Sequence, residues 1–98
     1  MLIGAMNHPG RSLEEELAWI AEAGLDFIDL TIEPPKVSTE RIHPATVRRL
    51  LSEYGLEVVG HTAYYLPVGH PYRSVALQSV SELKRTVDFF TEVGARHV

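Results

Sequence analysis

No cysteine occurs among the 98 residues. That excludes a disulfide framework and any thiolate metal site, and it fits a reducing, cytoplasmic setting. No apolar run reaches the ~20 residues of a membrane span, so a membrane is not expected as a partner. The opening stretch MLIGAMNHPG lacks the basic flank and long apolar segment of a signal peptide. Positive charge is scarce as well. Nine Lys and Arg stand against thirteen Asp and Glu, a formal net charge of −4. Nucleic-acid binding usually needs a basic face, so nucleic acid is not favoured as a partner. GxGxxG, P-loop, GxSxG and HExxH motifs are all missing, which leaves dinucleotide binding and nucleophilic serine chemistry without support.

The residues present describe a globular chain: 45% are apolar and 22% charged. The length suits one domain over residues 1–98. One local pattern recurs three times, as Glu22-Ala23-Gly24-Leu25, Glu53-Tyr54-Gly55-Leu56 and Glu92-Val93-Gly94-Ala95. Each glycine follows an amphipathic run, where a left-handed residue would stop a helix. The first helix is expected to open on a Ser12–Glu15 capping box, with Leu13, Leu17, Ile20 and Ala21 at helical spacing. The second is expected from Pro44, a favoured first-turn residue, with Val47, Leu50, Leu51 and Tyr54 as its stripe. The third is expected over about 74–93, with Ala76, Val80, Leu83, Val87 and Phe90. Strand-like segments lie at 2–6, 26–32, 57–62 and 96–98.

The resulting order, βαβαβαβ, is that of an α/β protein with a parallel sheet and right-handed crossovers. The second strand separates architectures. In DFIDLTIEPP, Ile28, Leu30 and Ile32 share one face, and Phe27, Asp29, Thr31 and Glu33 share the other. A doubly wound sheet covers both faces with helices and asks for nearly continuous apolar strands. A polar face suits a barrel whose interior it lines. A (β/α)8 barrel takes roughly 250 residues, so the expectation is the N-terminal part of a (β/α)8 TIM barrel, a fragment of about three and a half βα units.

In such barrels chemistry sits at the C-terminal ends of the strands. Here those ends carry Asn7-His8-Pro9, Glu33-Pro34-Pro35 and His61-Thr62-Ala63-Tyr64-Tyr65. His61 is the leading candidate, because imidazole serves both as metal ligand and as acid or base. Alternation places it with Val59 and Ala63, opposite Val58 and Gly60. Glu33 is expected on an extended exit fixed by two prolines, with two readings: a contact to a sugar hydroxyl, a metal or an arginine, or a solvated loop carboxylate. His8 has two readings, a site contact or a turn before the first helix. Tyr64 and Tyr65 have two readings, stacking on a sugar ring or walling a pocket, and one of them is expected to be buried against the third helix. His43 is read as structural, and His70 and Arg73 as parts of a long loop.

The segments GLDFIDLTIE, VVGHTAYYLP and FFTEVGARHV resemble the N-terminal portion of the xylose isomerase-like (β/α)8 barrel superfamily, which includes sugar-phosphate isomerases and epimerases and the endonuclease IV group. The resemblance implies a metal-dependent sugar or sugar-phosphate isomerase or epimerase. Its divalent ion (Mn, Mg, Co or Zn) would be held mostly by residues of later strands, so that these residues alone form an incomplete site and are inactive. It implies His61, Glu33, Tyr64 and His8 as substrate contacts and His61 as a metal ligand, with no catalytic residue identified. The spacing His61-x-x-Tyr64 matches a zinc ligand and tyrosine of the endonuclease IV group, an alternative that implies a phosphodiesterase. The asparagine usual in that group after Tyr-Leu is replaced by Pro67. A third alternative is a non-catalytic partial barrel that associates with itself or pairs with a missing half through its unpaired sheet edges.

Overall fold

The computed structural model describes residues 1–98. Three strands alternate with three helices: β1 (Gly4–Met6), α1 (Leu13–Glu22), β2 (Phe27–Ile32), α2 (Pro44–Tyr54), β3 (Glu57–Thr62) and α3 (Arg73–Val93). The strands form one parallel sheet in the order β1-β2-β3. This is part of a TIM barrel, as the alternation of elements predicts. Residues 96–98 do not form a strand, although the Gly60 N–H donates to the His97 carbonyl at 2.7 Å, on the side of β3 away from β2.

All three helices cover the same face of the sheet. Ile28 and Leu30 of β2 are fully buried there, in one cluster with Leu17 and Ile20 of α1, Val47 and Leu50 of α2, and Phe90 of α3. The apolar alternation of β2 is thus spent on the helix side, and its polar residues are left for the inner face. The recurring glycines stop the helices as expected: Gly24, Gly55 and Gly94 all have positive φ, between 66° and 93°.

Two helix details differ from the sequence reading. Ser12 is the N-cap of α1, but its side chain makes no capping bond. Glu16, rather than Glu15, reaches back, and its Oε2 accepts the His8 N–H at 2.7 Å. Glu16 is buried under the turn, so the carboxylate that satisfies that turn comes from the inward side of the helix. On α3 the buried residues are Ser79, Thr86, Phe89, Phe90 and Val93, whereas Val87 is exposed. The helix is rotated so that two small hydroxyl residues, Ser79 and Thr86, meet the core along with its phenylalanines. Ser79 and Thr86 allow this by bonding back to the carbonyls of Val75 and Glu82.

Candidate active-site wall at the strand ends

Just past β1, the buried side chain of Asn7 imitates a peptide group. Its Oδ1 accepts the Thr31 N–H at 2.7 Å, and its Nδ2 donates to the Thr31 carbonyl at 3.3 Å. The β1–β2 ladder, whose last backbone pair is Met6 and Asp29, is thereby carried one step further by a side chain. Thr31 is only 3% exposed, and its Oγ1 has no hydrogen-bond partner.

Thr31 is level with His61 across the β2–β3 pair, and Asp29 is level with Val59. His61 Nδ1 lies 3.4 Å from Asp29 Oδ2. The contact is therefore diagonal, between side chains on one face of adjacent strands. Both remain partly open to solvent, at 41% and 33% exposure. Gly60 shows why His61 must face inward. A Cβ at Gly60 would stand 2.9 Å from the Phe90 ring, so α3 closes directly on the β3 backbone and takes up the outer face. His61, the next residue, points the other way.

Glu33 follows β2 and is half-buried. Its exit differs from the extended one expected. The Val37 N–H returns to the Glu33 carbonyl at 3.2 Å in an antiparallel bridge, and the Pro34–Pro35 bond is cis. The fully buried Val37 side chain anchors this return to the core. Glu33's charge acts on the Tyr65 phenol, whose pKa stands above its ordinary value. Desolvation is the main cause, followed by the negative charge of Glu33 and then by Tyr64. Tyr65 lines a cavity of about 430 Å³ with Pro34, Pro35, Leu66 and, from α3, Glu82 and Thr86.

Neither tyrosine is buried against α3, contrary to expectation. Tyr65 is 49% exposed and Tyr64 88%. Their rings meet edge to face, with centroids 5.4 Å apart. Only Tyr65 borders the cavity; Tyr64, for which a pocket wall is one of the two readings, does not.

His8 occupies the turn, one of its two expected places. Its Nδ1 accepts the Gly10 N–H at 3.0 Å. His43 caps α2 in the same manner, accepting from Ala45 at 3.2 Å, and His70 accepts from Tyr72 at 3.1 Å. Each of the three is followed by proline, in His8-Pro9, His43-Pro44 and His70-Pro71, and His61 is not. That difference was available in the sequence. So were the two side chains missed as members of the site, Asp29 and Asn7: alternation puts Asp29 on the face of His61, and Asn7 stands at a strand end.

The xylose isomerase-like TIM barrel family matches residues 17–98. The chain belongs to that family. Among solved structures, this xylose isomerase-like chain is similar to two of an N-terminally His-tagged D-allulose 3-epimerase from Methylomonas sp. One carries additional C-terminal residues, and the other is in complex with D-allulose. Both give a TM-score of 0.67 at 18% identity. The match covers 97% and 96% of this chain but only 37% and 35% of the epimerase chains. No curated protein matches the sequence. No helix is long and apolar enough to cross a membrane.

A divalent ion fits these residues poorly. No three His, Asp or Glu side chains are grouped to hold a metal, and three protein ligands are the usual minimum even for an open zinc site. His61 and Asp29 form a pair, and no third ligand stands beside them.

Proposed function

We propose that these strand ends form one wall of the site of a sugar or sugar-phosphate isomerase or epimerase. The observation that carries this reading is the inward cluster of Asn7, Thr31, Asp29 and His61 at the C-terminal ends of parallel strands, where (β/α)8 enzymes hold their substrates. The xylose isomerase-like family and the D-allulose complex of a similar structure support the choice of a sugar.

In this reading His61 meets a substrate hydroxyl through its free Nε2, with Asp29 behind it. Glu33 and Tyr64 contact the substrate from the rim, and His8 holds the β1–α1 turn. Asn7 fixes the relative height of β1 and β2, so that the polar groups stay aligned. The divalent ion of such a reaction would take most of its ligands from residues outside this chain, since those within it do not suffice. The chain spans little more than a third of the length of the epimerases it matches. Pairing with a further barrel segment or with a second copy is supported by the open outer edge of β1 and by the exposed Leu2, Ile3 and Met6 around it.

The full-length protein is to be assayed on a panel of ketoses and their phosphates with Mn²⁺, Mg²⁺ and Co²⁺. Interconversion of at least one sugar pair is expected. Absence of any sugar turnover, together with cleavage of abasic DNA, replaces this reading by a zinc phosphodiesterase built on His61-x-x-Tyr64.

A further inference from the structure

We infer that Asp29 is a positioning residue that fixes which nitrogen of His61 carries the proton, holding it on Nδ1 and leaving the Nε2 lone pair toward the inner face. The inference rests on the proposed placement of His61 against substrate.

The geometry is that of a carboxylate behind an imidazole. Asp29 Oδ2 stands 3.4 Å from Nδ1, and an ionised carboxylate only accepts hydrogen bonds. A neutral imidazole that faces it keeps its proton on Nδ1, and the other nitrogen becomes the acceptor. The pair is built into the sheet. Asp29 and His61 lie on β2 and β3 with a register offset of two residues, and Asn7 fixes β2 through both backbone groups of Thr31. Gly60 and Phe90 close the outer face, so the ring cannot turn to the helix side.

The same chain supplies three counter-examples. His8, His43 and His70 each use Nδ1 to accept a backbone N–H. When neutral they must carry the proton on Nε2. His61 is therefore expected to be the odd one among these four, with the opposite tautomer and its acceptor nitrogen toward the barrel interior. An Nε2 lone pair can accept a hydroxyl proton of a sugar or bind a cation; an Nε2–H can do neither.

Long-range ¹H–¹⁵N correlation spectra of the full-length protein, labelled at histidine, test this. At a pH where the rings are neutral, His61 is expected as the Nδ1–H tautomer, with His8, His43 and His70 as Nε2–H references in the same spectrum. In Asp29→Asn the amide can donate to Nδ1, so His61 is expected to switch to Nε2–H, and turnover to fall by about 10–100-fold, the range of losses when a carboxylate behind a histidine is removed. Asp29→Glu is expected to restore the Nδ1–H signal and part of the activity. A wild-type His61 in the Nε2–H form overturns the inference without any variant, which keeps the test decisive if Asp29→Asn fails to fold. An unchanged tautomer in Asp29→Asn with lost turnover also overturns it, because Asp29 would then act on substrate directly. Wild-type turnover in His61→Ala, by contrast, overturns the placement of His61 against substrate, while a wrong tautomer counts only against the role of Asp29.

Discussion

His43 and His61 carry the same ring and use it in opposite senses. His43 sits before Pro44 at the start of α2, where its Nδ1 accepts the Ala45 N–H. His61 sits on β3, where its Nδ1 faces a carboxylate. The first arrangement is local, closed within three residues, and repeated at His8 and His70. The second spans two strands and depends on the whole sheet. A histidine in a local turn satisfies a backbone donor, so its loss is felt in stability. One held across strands on an inner face satisfies no backbone group, and its loss is felt in whatever the face binds.

The largest effect is therefore expected for His61→Ala, on activity alone. kcat/KM on the responding sugar should fall about 100-fold, the lower end of what a positioned acid–base or hydrogen-bonding group supplies, which is about 2.7 kcal/mol of transition-state stabilisation. The thermal midpoint should stay within a degree or two of wild type, since His61 is partly exposed and unburdened by backbone bonds. Calorimetry alongside initial rates checks both. A large drop in the midpoint with unchanged activity per folded molecule would make His61 a packing residue and erase its contrast with His43.

Asn7→Ala should come next, with both terms moving. Removing the side chain leaves the Thr31 N–H and carbonyl unpaired in a buried place, at about 1–3 kcal/mol for each group left unsatisfied. Denaturant unfolding should show a lower midpoint. Turnover should fall too, because the polar residues of β2 lose their support from β1. Asn7→Asp keeps the acceptor for the Thr31 N–H but turns a second acceptor toward the Thr31 carbonyl and buries a charge, so it should be at least as destabilising as Asn7→Ala.

His43→Ala sharpens the comparison from the other side. It removes the side-chain acceptor at the N-cap of α2, at about 1 kcal/mol for a capping side chain. Unfolding should register it and kcat/KM should not. His43→Asn, which supplies another good cap, should recover most of the stability.

Much of this contrast was legible in the sequence, and for specific reasons. The alternation in β2 announced a polar inner face because Ile28, Leu30 and Ile32 had to be buried on one side. The pair Gly60–His61 announced the direction of the ring because side chains alternate along β3. Long-range choices were not legible. Nothing local says that Glu16 rather than Glu15 turns back to His8, since that depends on which flank of α1 lies over the β1–α1 turn. Nothing local says that α3 buries Thr86 and exposes Val87, since the rotation of the helix is set by Phe90 seating on Gly60. The pairing of Asp29 with His61 lay between these extremes. The faces were readable, but the register that brings the two within 3.4 Å belongs to the folded sheet.

The smallest expected effect concerns the rim, where the charge of Glu33 acts on the Tyr65 phenol. Tyr65 holds its proton to higher pH than an ordinary phenol, first because the cavity wall desolvates it, then because Glu33 and Tyr64 add negative charge when ionised. A phenol whose folded pKa lies above its unfolded value of about 10 contributes stability that is fully present below pH 10. That contribution is lost as pH rises through the folded value, because the folded state then gives up a proton it held more tightly. Glu33→Gln removes one of the two charges and leaves the desolvation. The Tyr65 titration, isolated by subtracting the ultraviolet phenolate signal of a Tyr65→Phe variant, should therefore shift down toward the ordinary value without reaching it. Stability at neutral pH should be unchanged, since Tyr65 is uncharged there in both proteins. A Tyr65 titration indifferent to Glu33→Gln would mean that the carboxylate points elsewhere, toward the inner face with Asp29 and His61. The rim and the inner cluster would then be one site.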